Sequence, residues 1–246
     1  MEDGKTGRVY VVKYTILPNG TSRMDKIPKP EELSFNNYKW KNFPEFKALF
    51  PDNKIPIEML LALNTEGENI LQYCARMKEE EPVKYLLDVL SQLEGDERTF
   101  VDSIFINNQA TDGRRDTVFT NIALYCPEQL SPFLEKFKPD PSMTNQGGDI
   151  TLNLIEDEFK ETAFDPENDT ISKLTKDNFE VYKKTFQYTK EQKPEAIQLT
   201  NTRERTCLLV AANNKSTKYI QFLLEQPEIK QKLALAMAMI IPYYSL

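Results

Sequence analysis

The sequence predicts a mainly α-helical chain, an α-solenoid of helix-turn-helix repeats with an N-terminal β-hairpin and irregular insertions. From residue 55 onward, apolar stripes of about 7 to 12 residues alternate with short polar turns. Helices of this length are marginal in water and need neighbours that bury their apolar faces. Stripes that recur with one spacing therefore predict helix pairs packed side by side.

Residues 1–54 predict a β-hairpin followed by a short capping helix. The run from Val9 to Leu17 is rich in β-branched and aromatic residues, and Asn19-Gly20 separates it from a second short run. Asn and Gly tolerate the positive φ angles of a type I′ turn, which favours a hairpin. The apolar surface for the capping helix comes from Tyr38, Trp40, Phe43, Phe46 and Phe50.

Residues 64–90 and 201–226 share one layout. In both, a polar turn precedes a first apolar stripe, and a second stripe begins fourteen residues after Asn69 in one and after Thr206 in the other. Residues 112–137 repeat this layout with one residue fewer. Self-similarity at a regular spacing is typical of repeat proteins.

A fourth stretch, residues 145–159, shows only the first half of the layout. The four stretches begin at 64, 112, 145 and 201, so the intervals are 48, 33 and 56 residues. Two of these intervals are longer than the third, which predicts insertions between the repeats.

On these residues the chain resembles the ankyrin-repeat family, whose unit reads roughly D-x-x-G-x-T-P-L-H-x-A-A, a turn, then V-V-x-x-L-L, over 33 residues. The last unit matches best, although Glu204 replaces the turn glycine and Leu209 the histidine. In the first unit, Asn69 stands where threonine is usual. The matching residues are Gly67, Leu71, Ala75, Val83, Leu86 and Leu87 in the first unit, Asn145, Gly148 and Leu152 in the third, and Thr206, Leu208, Ala211, Ala212, Tyr219, Ile220, Leu223 and Leu224 in the fourth.

The resemblance implies about four degenerate units at residues 55–230, each made of a turn and two antiparallel helices. Small residues on the inner helix, such as Ala211 and Ala212, would let neighbouring units stack closely. From the residues alone an alternative remains, an irregular helical bundle whose helix pairs match by chance.

Residues 156–200 depart most from the layout and are interpreted as an insertion. Asp177 can N-cap a helix whose apolar face holds Phe179, Tyr182 and Phe186. Residues 231–246 predict a C-terminal apolar helix, truncated if the chain is part of a longer protein. Its apolar run of nine residues is about half of what a membrane-spanning helix requires.

Composition argues against several classes of function. The chain has 38 acidic and 31 basic residues, a formal charge of −7, and no block of Lys and Arg suited to nucleic acid or anionic lipid. Residues 1–20 lack the apolar core of a secretory signal, so we expect an intracellular, cytoplasmic and monomeric protein. The three cysteines, Cys74, Cys126 and Cys207, are expected to be small buried apolar residues.

Catalysis is not predicted. The chain contains no histidine, which removes Ser-His, Cys-His and His-metal arrangements. The sequence DPENDT at 165–170 lacks the glycine and glutamate of a calcium loop, so no metal and no cofactor are expected.

The predicted function is a protein-protein interaction module that binds a protein partner through turn tips and the concave inner-helix face. The tips alternate in charge, acidic in the first and third units and basic in the second and fourth. The predicted partner-binding residues are Thr65, Glu66, Glu68, Arg76 and Met77 in the first unit, Arg114 and Asp116 in the second, Gln146, Asp149, Asp157 and Glu158 in the third, and Thr202, Arg203, Arg205, Asn213 and Asn214 in the fourth.

An alternative hypothesis assigns the chain to another class. The apolar run close to Leu246 suggests a portion of a larger enzyme, in which the array positions substrate for a catalytic domain beyond that residue. Degenerate ankyrin arrays also resemble those of effectors that intracellular bacteria inject, which would place the protein in the host cytoplasm.

Overall fold

A computed structural model describes residues 10–16, 22–28, 47, 53–54, 60, 62–158 and 169–240, with side chains chiefly at 62–156 and 178–234. The predicted aromatic capping helix at 38–50 lies outside these residues, apart from residue 47. The chain divides into two compact units, Met1–Gln146 (unit 1) and Gly147–Leu246 (unit 2).

The prediction of a mainly α-helical chain is confirmed. The described residues form a π-helical turn at Val101–Phe105, 3₁₀ turns at Pro127–Gln129 and Pro194–Gln198, and ten α-helices. In unit 1 these are α1 (Ile70–Arg76), α2 (Glu80–Ser91), α3 (Gly95–Phe100), α4 (Val118–Tyr125) and α5 (Leu130–Lys136), and in unit 2 they are α6 (Thr151–Glu158), α7 (Asp169–Gln192), α8 (Cys207–Asn213), α9 (Thr217–Glu225) and α10 (Pro227–Ile240).

Two strands, β1 (Tyr10–Ile16) and β2 (Ser22–Pro28), pair antiparallel, with Tyr10 opposite Pro28. The Asn19-Gly20 turn predicted to join them lies outside the described residues, so the hairpin stays a prediction.

Unit 1 contains two helix pairs, α1 with α2 and α4 with α5. The first helix of each pair packs on the first helix of the other, α1 on α4, and the second helices likewise, α2 on α5. Fully buried apolar side chains fill the space between the helices, among them Leu71 and Leu87 from the first pair and Phe119 and Phe133 from the second. Each short helix thereby buries the stripe that it cannot hide alone.

In unit 2, α6 packs against both α7 and α8, while α9 follows α8 and contacts α10. Ala211 on α8 is fully buried, as close packing of an inner helix requires, whereas Ala212 is exposed. The C-terminal helix begins at Pro227, four residues before the predicted start, because proline suits the first position of a helix.

The predicted N-cap at Asp177 is wrong, because α7 begins at Asp169 and Asp177 lies inside it. No glycine or proline occurs between Asp169 and Gln192, so no residue in that stretch forces the helix to start later. The predicted apolar face is present. Phe179, Tyr182 and Phe186 meet Phe222 of α9 edge-on, with ring centroids 5.2 to 6.1 Å apart.

The four predicted stretches share one local conformation. The fourth residue of each has a left-handed backbone, with φ between 57° and 75°, and a helix begins six residues after the start of each stretch. The left-handed residues are Gly67, Arg115, Gly148 and Glu204. Arg115 and Glu204 are not glycine, so two of the four turns keep the left-handed conformation without it.

Candidate functional site: a groove between two turns of unit 1

The first turn of unit 1 is held by the side chain of Asn64. Its Oδ1 accepts hydrogen bonds from the backbone N–H groups of Glu66 and Glu68, each at 2.9 Å. The N–H of Gly67 donates to the carbonyl of Asn64 at 3.0 Å. Asparagine is suited to such turns because its side chain imitates a backbone acceptor. Glu66 is thereby placed at the tip.

The second turn is held in a similar way, by the side chain of Asp112. Its Oδ1 accepts from the N–H groups of Arg114 and Arg115 at 3.1 and 2.9 Å. The two turns are joined directly, since the N–H groups of Thr111 and Asp112 donate to the carbonyl of Glu66 at 2.7 and 3.1 Å.

Gly67 permits this close approach of the two turns. Its φ of 73° lies in the region that favours glycine, and an added Cβ would lie 2.4 Å from Oγ1 of Thr111 and 2.7 Å from its backbone nitrogen. Gly67 was predicted at a turn, and the neighbouring turn also requires the space that a side chain here would fill.

The two turns and helices α1 and α4 enclose a groove of about 400 Å³. We call it the turn groove and define it by its lining residues, Glu66, Glu68, Arg76, Ala110, Asp112, Arg114, Asp116, Asn121 and Tyr125. A concave site with converging polar groups is the usual form of a binding site.

Arg76 connects the acids on one side of the turn groove. Its guanidinium donates to the carboxylate of Glu68 at 2.6 and 2.8 Å and to that of Glu66 at 2.6 Å. Glu68 is only 1% exposed and also accepts from Nδ2 of Asn64. The hydrogen bond to Glu68 raises the pKa of the Arg76 guanidinium above its ordinary value. Glu68 therefore stabilises the first turn, whereas Glu66 is exposed.

The other side of the turn groove combines exposed and buried polar groups. Exposed Arg114 donates from Nη1 to the hydroxyl of Tyr125 at 3.1 Å. Asp116 is 8% exposed, and its carbonyl accepts from Gln72. Asn121, on the inward face of α4, is 1% exposed and donates from Nδ2 to the carbonyl of Gln72. No described residue donates a hydrogen bond to its Oδ1.

Five of the predicted partner-binding residues line the turn groove: Glu66, Glu68, Arg76, Arg114 and Asp116. Three others lie in unit 1 but do not line it. Thr65 is exposed on the first turn, and Met77 is 48% exposed at the end of α1. Gln146 is exposed and donates its N–H to the carbonyl of Arg114.

The remaining predicted residues belong to unit 2. Asn201 organises several of them, because its Nδ2 donates to Asp149 and its Oδ1 accepts from the N–H groups of Arg203 and Arg205. Thr202 donates its N–H to the carbonyl of Gly147 at 2.8 Å. Asn213 and Asn214 lie at the end of α8, and Asp157 and Glu158 end α6, with side chains outside the described residues.

Four of the lining residues were not predicted from the sequence: Ala110, Asp112, Asn121 and Tyr125. One signal could have found Asn121, which is the only strongly polar side chain in the apolar stripe VFTNIALY. A buried amide within such a stripe requires hydrogen-bond partners, and therefore suggests a site or a network.

The cysteine thiols are poorly suited to nucleophilic chemistry. All three cysteines are buried, and burial raises the pKa of Cys126 and of Cys207 to about 12 and that of Cys74 well above its usual value. A thiol is reactive as the thiolate, which these pKa values disfavour at neutral pH.

Among the residues described, no helix is both long enough and apolar enough to cross a membrane. Within the same ranges, no group of three or more Cys, Asp or Glu residues is placed to hold a metal ion.

No protein-family model matches the chain, and no curated protein matches it. A solved structure of the Bd0816 predatory endopeptidase from Bdellovibrio bacteriovorus in complex with immunity protein Bd3460 is similar at 16% identity and a TM-score of 0.36. The similarity covers 72% of this chain and 89% of that one. A similarity this low carries no inference about function.

Proposed function

We propose that the chain is a protein-protein interaction module, an ankyrin-like array whose turn tips and inner-helix face bind a protein partner. The turn groove is the observation that carries the proposal. Glu66 and Arg114, which were both predicted to bind a partner, line this groove, and their side chains are exposed. Polar side chains around a concave surface allow specific recognition of a complementary charge pattern.

The repeated turn supports the ankyrin-like part of the proposal. All four stretches combine a left-handed fourth residue with a helix that starts at the same offset. In unit 1 the paired packing of α1 on α4 and α2 on α5 is also what stacked repeats require. The β-hairpin belongs to the proposed fold as an N-terminal addition to the array.

Binding is favoured over catalysis on chemical grounds. The chain has no histidine to act as a general base, and the buried thiols have raised pKa values. The groove instead offers arginine and tyrosine, residue types that are enriched where proteins bind proteins. A monomeric, intracellular protein remains the prediction from composition.

Affinity capture from cell lysate tests the proposal. We expect wild-type protein to recover specific partners that Arg114→Glu loses, because the substitution reverses a charge at the groove. Lys84→Glu is the matched control, since Lys84 is exposed on α2 and does not line the groove. An Arg203→Glu/Arg205→Glu double variant measures the contribution of the unit 2 tip. Equal recovery by all four proteins would show that these turns are not the recognition surface.

A further inference from the structure

Helices α8 and α9 repeat the helix pair α1 and α2, so their faces can be compared position by position. Asn69 and Thr206 are the N-caps of α1 and α8, and each of these helices has 7 residues. In a stack of equivalent repeats, related residues face the same neighbour. Aligning the two N-caps relates Gln72 to Leu209, Ala75 to Ala212, Leu87 to Leu224 and Asp88 to Glu225.

In unit 1 this face is covered by the second helix pair. Gln72 donates to a carbonyl just before α4 at 2.9 Å, and the carbonyl of Ala75 accepts from the thiol that follows α4 at 3.6 Å. Helix α2 packs on α5, and Asp88 forms an ion pair with Lys136 of α5. As a result, Gln72, Ala75 and Leu87 are almost completely buried.

The corresponding face of α8 and α9 is uncovered. Leu209 is 51% exposed, Leu224 is 39% exposed, and Ala212 is exposed as well. Exposed Glu225 forms no ion pair within the described ranges. We call Leu209, Ala212, Leu224 and Glu225 the end face. Because the end of a repeat array needs a polar surface or a cover, these apolar side chains indicate that another helix packs on them.

The contacts of unit 1 specify what kind of helix suits the end face. It has to present apolar side chains, and it has to place a cation opposite Glu225, as α5 places Lys136 opposite Asp88. Helix α9 of a second copy meets both requirements. Its Leu224 supplies the apolar contact, and its exposed Lys218 lies about two helical turns before Glu225. Two α9 helices that pack antiparallel therefore bring Lys218 of each copy opposite Glu225 of the other.

We propose that the end face binds a second copy of this chain, so that α8 and α9 of two copies form a two-fold symmetric dimer. Leu209, Ala212 and Leu224 of each copy then lie against the end face of the other, which removes their apolar surface from water. The surface is small, so we expect a reversible dimer with a Kd of about 10 to 100 µM. When dilute, the chain is the monomer that composition predicts. The end face consists of unit 2 residues, and the inference goes beyond the proposed binding of another protein.

Sedimentation velocity of the full chain tests the dimer. Between about 2 and 500 µM, we expect the average mass in solution to rise from that of one chain toward that of two. Leu209→Glu and Leu224→Glu each place a charge in the interface and should raise the Kd about tenfold or more. Leu199→Glu is the matched control and should leave the Kd unchanged, because Leu199 is a 37% exposed leucine of unit 2 outside α8 and α9. All three leucines are exposed in the single chain, so circular dichroism should show the same helix content in each variant.

Charge reversal tests the antiparallel arrangement. Lys218→Glu or Glu225→Lys alone places like charges opposite each other and should raise the Kd about fivefold. The double variant Lys218→Glu/Glu225→Lys restores opposite charges and should return the Kd to within about twofold of wild type.

A chain that stays monomeric at about 500 µM would overturn the inference and leave the end face to another protein. Masses above two chains, or a Kd that neither Leu209→Glu nor Leu224→Glu raises, would also overturn it. If the double variant does not recover, the antiparallel contact of α9 is wrong. The capture experiment is independent of these outcomes, since Arg114→Glu changes unit 1.

Discussion

At the scale of single residues, backbone conformation is the clearest constraint on the turns. Gly67 combines a left-handed φ with a neighbouring turn at contact distance. We expect Gly67→Ala to lower the free energy of unfolding by about 2 to 4 kcal/mol, through conformational strain and overpacking. Urea denaturation followed by circular dichroism measures the loss.

Gly113→Ala is the matched control for Gly67→Ala. Gly113 lies in the second turn, has no left-handed φ, and an added Cβ would approach nothing closer than 3.8 Å. The free energy of unfolding of the Gly113→Ala variant should stay the same or rise by up to about 1 kcal/mol. Equal losses for the two variants would contradict the role given to Gly67.

Glu204 presents the opposite case, a side chain where the turn favours glycine. Its φ is 59°, and a non-glycine residue in this region costs about 1 to 2 kcal/mol. Glycine removes that strain but loses more entropy on folding, so we expect Glu204→Gly to stabilise the protein by about 0.5 to 1 kcal/mol. Glu204→Ala retains the Cβ and should give no such gain. A lower thermal midpoint for Glu204→Gly than for Glu204→Ala would refute the prediction.

The Arg76 ion pair sets the stability of the first turn. Arg76→Gln leaves Glu68 buried with Asn64 as its remaining side-chain donor. Breaking a buried ion pair costs about 3 to 5 kcal/mol, and since Arg76 is about a third exposed we expect about 2 kcal/mol. Arg203→Gln, at an exposed position in unit 2, should change the free energy of unfolding by less than about 0.5 kcal/mol. Equal changes in the two variants would argue against a structural role for the pair.

At the scale of elements, the aromatic face of α7 contacts α9 through the ring of Phe222. The ring of Phe186 is 1% exposed and lies 5.2 Å from the ring of Phe222. Truncating a buried phenylalanine costs about 3 to 5 kcal/mol, so Phe186→Ala should destabilise the protein strongly. Gln187→Ala, the exposed neighbour on the same helix, should cost less than about 0.5 kcal/mol. A small effect of Phe186→Ala on urea denaturation would mean that α7 is not needed for the fold.

Helix α7 also shows what sequence spacing can and cannot predict. The recurrence of Phe179, Tyr182 and Phe186 predicted the buried face, because residues three and four apart share one side of a helix. The start at Asp169 was not predicted. Asp177 is a good N-cap by residue type, but capping preference is weaker than the tendency of an uninterrupted stretch to continue a helix.

At the scale of the whole molecule, local spacing predicted where the turns lie but not how the groove is lined. Turn positions depend on short-range features, such as Asn64 with Gly67 three residues later. The groove depends on hydrogen bonds between distant residues. Gln72 alone contacts Asn108 and Asp116, which lie 36 and 44 residues away, and Asn121, which lies 49 residues away. Such contacts follow from packing of α1 on α4, which no pattern within one segment specifies.

The buried cysteines couple the stability of the whole fold to alkaline pH. Burial and the negative charge of Glu156 raise the pKa of Cys207 to about 12, whereas an unfolded chain has a cysteine pKa near 8.5 to 9. Below about pH 8.5 the thiol therefore makes its full contribution to the free energy of unfolding. As pH rises toward 12 the unfolded state releases its proton first, and the contribution is lost by up to about 1.4 kcal/mol per pH unit.

Cys207→Ala tests this coupling because it removes one titrating thiol from unit 2. The variant should be less stable than wild type at pH 7, owing to lost packing, yet its free energy of unfolding should fall less steeply between pH 9 and 11. Thr202→Ala, an exposed control in the same unit, should keep the wild-type slope. Urea denaturation at half-unit pH steps gives the three slopes. A Cys207→Ala slope equal to that of wild type would show that the Cys207 thiol ionises alike in the folded and unfolded chains, which its burial against Ile197 in unit 2 argues against.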